Sequence, residues 1–174
     1  PTSTHIVEER ETWFVPIVNP DGYVYNQTNE PGGGGLWRKN RRDNGDGTFG
    51  VDLNRNYAFQ WGYDDVGSSP LTGWDTYRGP SPASEPEVVA MQSFLTVRPF
   101  VTAVSGHTFS NLWLEPYGYD QVSPSLPLVF DELSSLMTTV NGYAAQPAYD
   151  LYPANGTTID YDHGVHGTLA WLPE

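Results

Sequence analysis

Apolar residues in this chain come in short runs that stop abruptly: WFVPIV at 13–18, FVTAVSGH at 100–107 ending on a histidine, and GTLAWL at 167–172. Runs this short, bounded by turn residues, suit buried strands. Two stretches of helical spacing lie between them. SEPE (84–87) opens the first, with Ser84 as cap, Glu87 as its capping-box partner and Pro86 in the first turn. Val88, Met91, Phe94 and Leu95 carry it to about Val97. Leu128, Leu133, Leu136 and Val140 mark the second, within 126–145. NLWLEPYGY (111–119) continues extended. Strands alternating with helices predict an α/β fold, a mixed and mostly buried β-sheet flanked by helices. NPDG at 19–22 reads as a turn ending the first strand, and residues 20–50 as loop, with a further turn at DNGDG (43–47). Sites in such sheets form at strand ends, where Asn19, His107 and Glu174 fall.

At 174 residues, 38% hydrophobic and 17% charged, the chain suits one globular unit over 1–174. No apolar run approaches the ~20 residues of a membrane span, and no secretory signal is read at its start. Cysteine is absent, which excludes disulfides and thiolate metal sites and leaves the redox compartment open. A net charge of −13 argues against nucleic acid or an anionic membrane as partner. Oligomeric state is not legible.

Five of the eight cations, Arg38, Lys39, Arg41, Arg42 and Arg55, lie close together. Charge balance accounts for Lys39, Arg41 and Arg42. Arg55, set between Asn54 and Asn56 in DLNRNY, suggests an anion site instead, because the planar guanidinium grips a carboxylate bidentately.

NPDGY (19–23), WRKNR (37–41), GVDLNRN (50–56), YRG (77–79), SEPE (84–87), SGHTFS (105–110) and EPYGY (115–119) occur in this order. Together they resemble the zinc carboxypeptidases of the carboxypeptidase A/B type, closest to secreted bacterial members. The resemblance spans nearly the whole chain. It implies a secreted, zinc-dependent exopeptidase that removes one C-terminal residue from peptides or proteins. By position, His107 matches a zinc ligand, Arg55 and Asn54 the binders of the substrate carboxylate, and Arg38 the holder of the developing oxyanion. Asp52 matches a carboxylate that orients a zinc histidine. Tyr152 matches a mobile tyrosine that closes over the substrate, and Glu174 the general base. Ile159 corresponds to the base of the specificity pocket, where an apolar residue implies hydrophobic or aromatic C-termini.

The family's other two zinc ligands come from an H-x-x-E motif, expected upstream of Pro1. His5-Ile6-Val7-Glu8 matches formally but stands too close to the first strand, and reads as a decoy. A family domain is roughly 300 residues, near the limit for one core, so the chain is expected to be a fragment incomplete at both ends. Weak or no zinc binding by the fragment alone is expected. Gly35 and Phe109 depart from commoner Arg and Tyr, and Pro173 before Glu174 is unusual. Other readings stay open: a cell-wall peptide hydrolase of the same fold, a peptide- or carbohydrate-binding module, or a pseudoenzyme. His163 and His166 form an H-x-x-H pair that could bind metal, and Asn26 and Asn155 begin glycosylation sequons.

Overall fold

The computed structural model describes residues 8–174. Its centre is a four-stranded mixed sheet of β1 (Thr102–Val104), β2 (Leu112–Glu115), β3 (Ala144–Pro147) and β4 (Leu169–Pro173), in the order β1-β4-β2-β3. β1 runs parallel to β4 and β2 parallel to β3, while β4 and β2 are antiparallel. Helices α1 (Pro20–Asn29), α2 (Pro86–Thr96), α3 (Pro127–Asn141), α4 (Ala148–Leu151) and α5 (Thr158–His166) accompany the sheet among the described residues.

Alternation along β4 shows why its run is apolar throughout. Ala170 and Leu172 turn to one face and pack with Leu114, Ala148 and Ile159. Trp171 turns to the other, against Trp113 and Phe130 of α3. Both faces are covered, so neither set of positions can be polar. A third cluster joins Leu53, Tyr57, Val88, Leu95 and Tyr161, docking α2 and α5 together.

The α/β architecture is as expected from the sequence, and several local expectations are not. WFVPIV forms no strand; it is irregular, with bends at Pro16 and Val18, and Trp13, Phe14, Val15 and Ile17 are all exposed. Among the described residues it has no strand partner; it is held only at its ends, where Trp13 meets Phe94 edge-on with the ring centres 5.5 Å apart and Val18 packs against the cluster of Leu53, Tyr57 and Val88. NPDG is not a turn but the start of α1: Asn19 caps it by accepting from the Gly22 amide at 2.9 Å, and Pro20 takes the first helical position. In α2 the cap is Glu85, without a side-chain cap bond, because Ser84 Oγ donates to the Glu85 carboxylate instead. The second helix ends at Asn141, where Gly142 turns left-handed, and β3 follows. Its buried face is Phe130 and Ser134; Leu128, Leu136 and Val140 point to solvent. Strand β1 is shorter than FVTAVSGH and lies at the sheet edge with Val101 and Val104 exposed.

Candidate active site

Sheet pairing continues past the end of β1. Ser105 N–H donates to the Trp171 carbonyl at 2.9 Å and His107 N–H to the Pro173 carbonyl at 2.8 Å. Glu174, one residue past β4, is held from the other side, its amide donating to the Leu112 carbonyl at 2.9 Å. The two side chains therefore emerge next to each other, with His107 Nδ1 and Glu174 Oε1 3.8 Å apart. Burial pushes the imidazole down to about 4, Arg38 and Arg55 reinforcing this and Asp52 opposing it. Burial raises the Glu174 carboxyl, against the pull of the same two arginines.

Across the cleft, Asp52 opens a single helical turn, Leu53–Arg55, by accepting from the Asn54 amide at 3.1 Å. Asp52 is buried, and its Oδ2 pairs with Arg38 at 2.9 Å, neither Arg55 nor Lys39 taking that place. The Asp52 carboxylate is the main cause of the raised Arg38 pKa. Arg38 is exposed to the cleft, and its backbone is clamped from α1, where Asn19 Nδ2 donates to the carbonyls of Arg38 and Lys39 at 3.3 and 3.0 Å. Asn19 thus sits at a helix start rather than a strand end. Gly22 makes this clamp possible, since a Cβ there would stand 2.7 Å from the Lys39 carbonyl.

The neighbouring cations have separate work. Arg42 pairs with buried Glu85 at 2.8 Å, and Asn40 Nδ2 donates to the same carboxylate at 2.7 Å. Lys39 Nζ donates to the Thr72 carbonyl at 3.0 Å. Among the described residues Arg41 pairs with no acid; its guanidinium lies over Tyr25, Trp37 and Phe49, 3.9 to 4.9 Å from the ring centres.

Arg55 differs from all of these. It is 2% exposed, yet among the described residues no carboxylate forms an ion pair with it. One Nη donates to the Asn54 carbonyl at 2.6 Å, and the buried Nε has no partner. Tyr152, which is exposed, follows α4 and lies with its ring centre 5.9 Å from the guanidinium carbon. Beneath them is a small pocket whose walls include Leu114, Ala148, Ala154, Ile159 and Leu172. Ile159 is fixed by α5, whose next residue, Asp160, accepts from the Gly118 and Tyr119 amides at 2.9 and 3.1 Å.

The structure thus brings Arg38, Asp52, Asn54, Tyr152, His107 and Glu174 to one cleft, with Arg55 and Ile159 at the adjoining pocket. Among the described residues no three His, Asp or Glu side chains converge as a metal cluster, so His107 stands as a single candidate ligand. His5 lies outside the described residues, and Glu8 is exposed. His163 is occupied structurally, Nδ1 against the Thr168 carbonyl at 2.9 Å and Nε2 accepting from the Ser125 amide at 3.1 Å. That leaves it no lone pair for a metal. Asn155, a formal sequon, is fully buried and hydrogen-bonded. Reading the sequence placed Asn19 at a strand end, where the Asn-Pro-Asp pattern signals a helix cap instead, and it missed Asn155 and Thr158 as residues that bear on this site.

A family model described as zinc carboxypeptidase matches residues 1–171. Rat carboxypeptidase A2 is 34% identical over 185 residues, covering 98% of this chain and 42% of its own length. Metallocarboxypeptidase A of Trichophyton rubrum is 34% identical over 171 residues, covering 91% and 39%. The crystal structure of carboxypeptidase A from Helicoverpa armigera superposes with a TM-score of 0.82 at 29% identity, over 92% of this chain and 41% of that one. The chain therefore spans about two fifths of the length of these relatives.

Proposed function

The chain belongs to the zinc carboxypeptidase family, and from that premise we propose that its 174 residues are part of one catalytic domain that releases single residues from peptide C-termini. The observation that carries this reading is Arg55, a buried guanidinium that forms no ion pair with a carboxylate among the described residues, placed at the mouth of an apolar pocket. A buried cation of that kind calls for an anion. An apolar pocket beside it fits an anion that carries a hydrophobic side chain, which describes the C-terminal residue of a peptide.

The remaining roles follow from position. Arg55 and Asn54 bind the terminal carboxylate, and the side chain enters the pocket over Ile159, favouring hydrophobic or aromatic residues. Tyr152 closes over the bound end. The scissile carbonyl then lies toward Arg38, whose N–H groups can donate to the oxygen as charge develops on it, and Glu174 takes the proton of the attacking water. Asp52 holds Arg38 in the ion pair described above, and the same carboxylate is suited to orient a histidine ligand.

His107 fits a zinc ligand. Its ring is neutral well below pH 7, and no hydrogen bond occupies its nitrogens among the described residues. Zinc held by His107 and by ligands upstream of Pro1 would supply a Lewis acid at the substrate carbonyl. An extracellular setting belongs to the same proposal; no helix among the described residues is long and apolar enough to cross a membrane.

The test uses the complete domain and a blocked dipeptide ending in Phe or Leu. Release of the terminal residue, lost on treatment with a chelator and regained with zinc, is expected. Activity that survives complete zinc removal overturns the mechanism.

A further inference from the structure

We propose that Asn155 is a positioning residue for capture of the substrate carboxylate, acting through the segment 154–158; this rests on the carboxypeptidase reading above. Asn155 is fully buried and every polar group on its side chain is used. Its Oδ1 accepts from Ser68 Oγ, and its Nδ2 donates to Asp64 Oδ1 at 2.8 Å and to the Asp64 carbonyl at 3.2 Å. Its backbone N–H donates to the Gly67 carbonyl at 3.3 Å. Asp64 is fixed in turn, accepting from the Val66 and Gly67 amides at 3.1 and 2.7 Å. The loop 64–68 and the segment around Asn155 are therefore locked together by side chain and backbone at once.

The other side of that segment meets the anion-binding turn at three points. The Gly156 carbonyl accepts from Tyr57 N–H at 3.0 Å. Gly156 itself, at φ +68°, lies against the Arg55 carbonyl, where a Cβ would approach to 2.5 Å. Thr158 N–H donates to Asn54 Oδ1 at 2.9 Å. This last bond has a direction. An amide whose oxygen is taken by Thr158 must turn its NH2 the other way, so Asn54 offers a donor to the cleft rather than an acceptor. An acceptor there would repel the carboxylate that Arg55 attracts. Tyr152 lies three residues upstream of Asn155, so the same lock fixes the downstream end of the stretch that carries its ring.

Only an amide fits the position. It must accept from a hydroxyl and donate to a carboxylate from one planar group. Aspartate would face Asp64 as a like charge, and alanine would leave Ser68 and Asp64 without their partner.

The experiment measures steady-state kinetics on the complete domain, together with affinity for 3-phenylpropanoate, an aromatic monocarboxylate that needs only the anion site and the pocket. Asn155→Ala should raise KM about tenfold while kcat falls less than threefold, and should weaken 3-phenylpropanoate by a similar factor. Ser68→Ala, which removes one bond to Asn155, should shift both quantities the same way by about two- to threefold, and decides the matter where Asn155→Ala fails to fold. A fall in kcat at unchanged KM and unchanged carboxylate affinity, the signature of fewer folded molecules, overturns the proposal. If the unsubstituted domain releases no terminal residue, the parent reading fails instead.

Discussion

The His107 amide donates to the Pro173 carbonyl at 2.8 Å, so the imidazole and the neighbouring Glu174 carboxylate are set side by side by sheet pairing rather than by a bond between themselves. Each side chain can then change partner without moving the other. That arrangement suits a metal ligand placed beside a base.

Glu174→Gln keeps the shape and the backbone bonds of Glu174 but cannot take a proton. In the complete domain kcat should fall about 10²- to 10⁴-fold, with KM changed by no more than a few-fold. Steady-state kinetics at saturating zinc checks this. A fall in kcat below about tenfold would remove Glu174 from the role of base.

Arg55→Ala should weaken substrates with a free C-terminus about 10- to 100-fold in KM, the scale of one charge-assisted hydrogen bond or slightly more. Binding of the same peptides with an amidated end should hardly change. Equal losses on both, measured by competitive inhibition, contradict an anchoring role.

Ile159→Asp puts a carboxylate at the floor of the pocket between Leu114 and Leu172. Preference should move from Phe and Leu toward Lys and Arg at the C-terminus, read as the ratio of kcat/KM for the two substrate types. Retention of the aromatic preference would place Ile159 outside the specificity determinants.

Asp162 is buried, one of its oxygens lacks a partner, and burial pushes its carboxyl up to about 7. The folded state then holds a proton that the unfolded chain, with an ordinary carboxylate value near 3.9, releases earlier. Stability therefore falls as pH rises from about 4 to about 7, and levels off above. Thermal unfolding across that range should show the decline, and Asp162→Asn should lessen it without abolishing it, because burial also pushes the Asp160 carboxyl up to about 7. A pH profile identical in the two proteins rules this contribution out.

Phe130 is fully buried between Trp171 and the ring of His163. Phe130→Ala should cost about 3–5 kcal/mol of stability, measurable as a lowered denaturation midpoint.

The fold class was legible because both faces of the sheet demand apolar residues: TLAWL could hardly be anything but a covered strand. Arg55 stood out by its own chemistry, a cation between two amides in an acidic chain, whereas the roles expected of His107 and Ile159 came only from the family resemblance. What stayed hidden has a physical pattern. Leu136 and Val140 have helical spacing yet face solvent, because Phe130 and Ser134 fill the side that meets Trp171, and Ser134 Oγ accepts its indole N–H at 2.8 Å. Periodicity registers the apolar stripe and not the serine that displaces it. WFVPIV shows the reverse case: strand propensity is in place, but pairing needs a neighbour that local sequence does not supply. Asn155 and Thr158 act through backbone geometry set by residues 64–68 and 54, which no local pattern encodes.

The network around Glu85 bears on how the site is assembled in time. Asn40 and Arg42 reach that carboxylate across 45 and 43 residues of chain, and Thr158 reaches Asn54 across 104. Between Glu30 and Pro86 the chain forms local turns and one helical turn, and bonds of this distant kind are what tie it to the rest of the molecule. Contacts so far apart in sequence carry a large loop-closure cost before they return any stability. The arginines of the cleft should therefore reach their final places late in folding, after α2 and the sheet have formed, so the chain becomes compact before it can hold an anion.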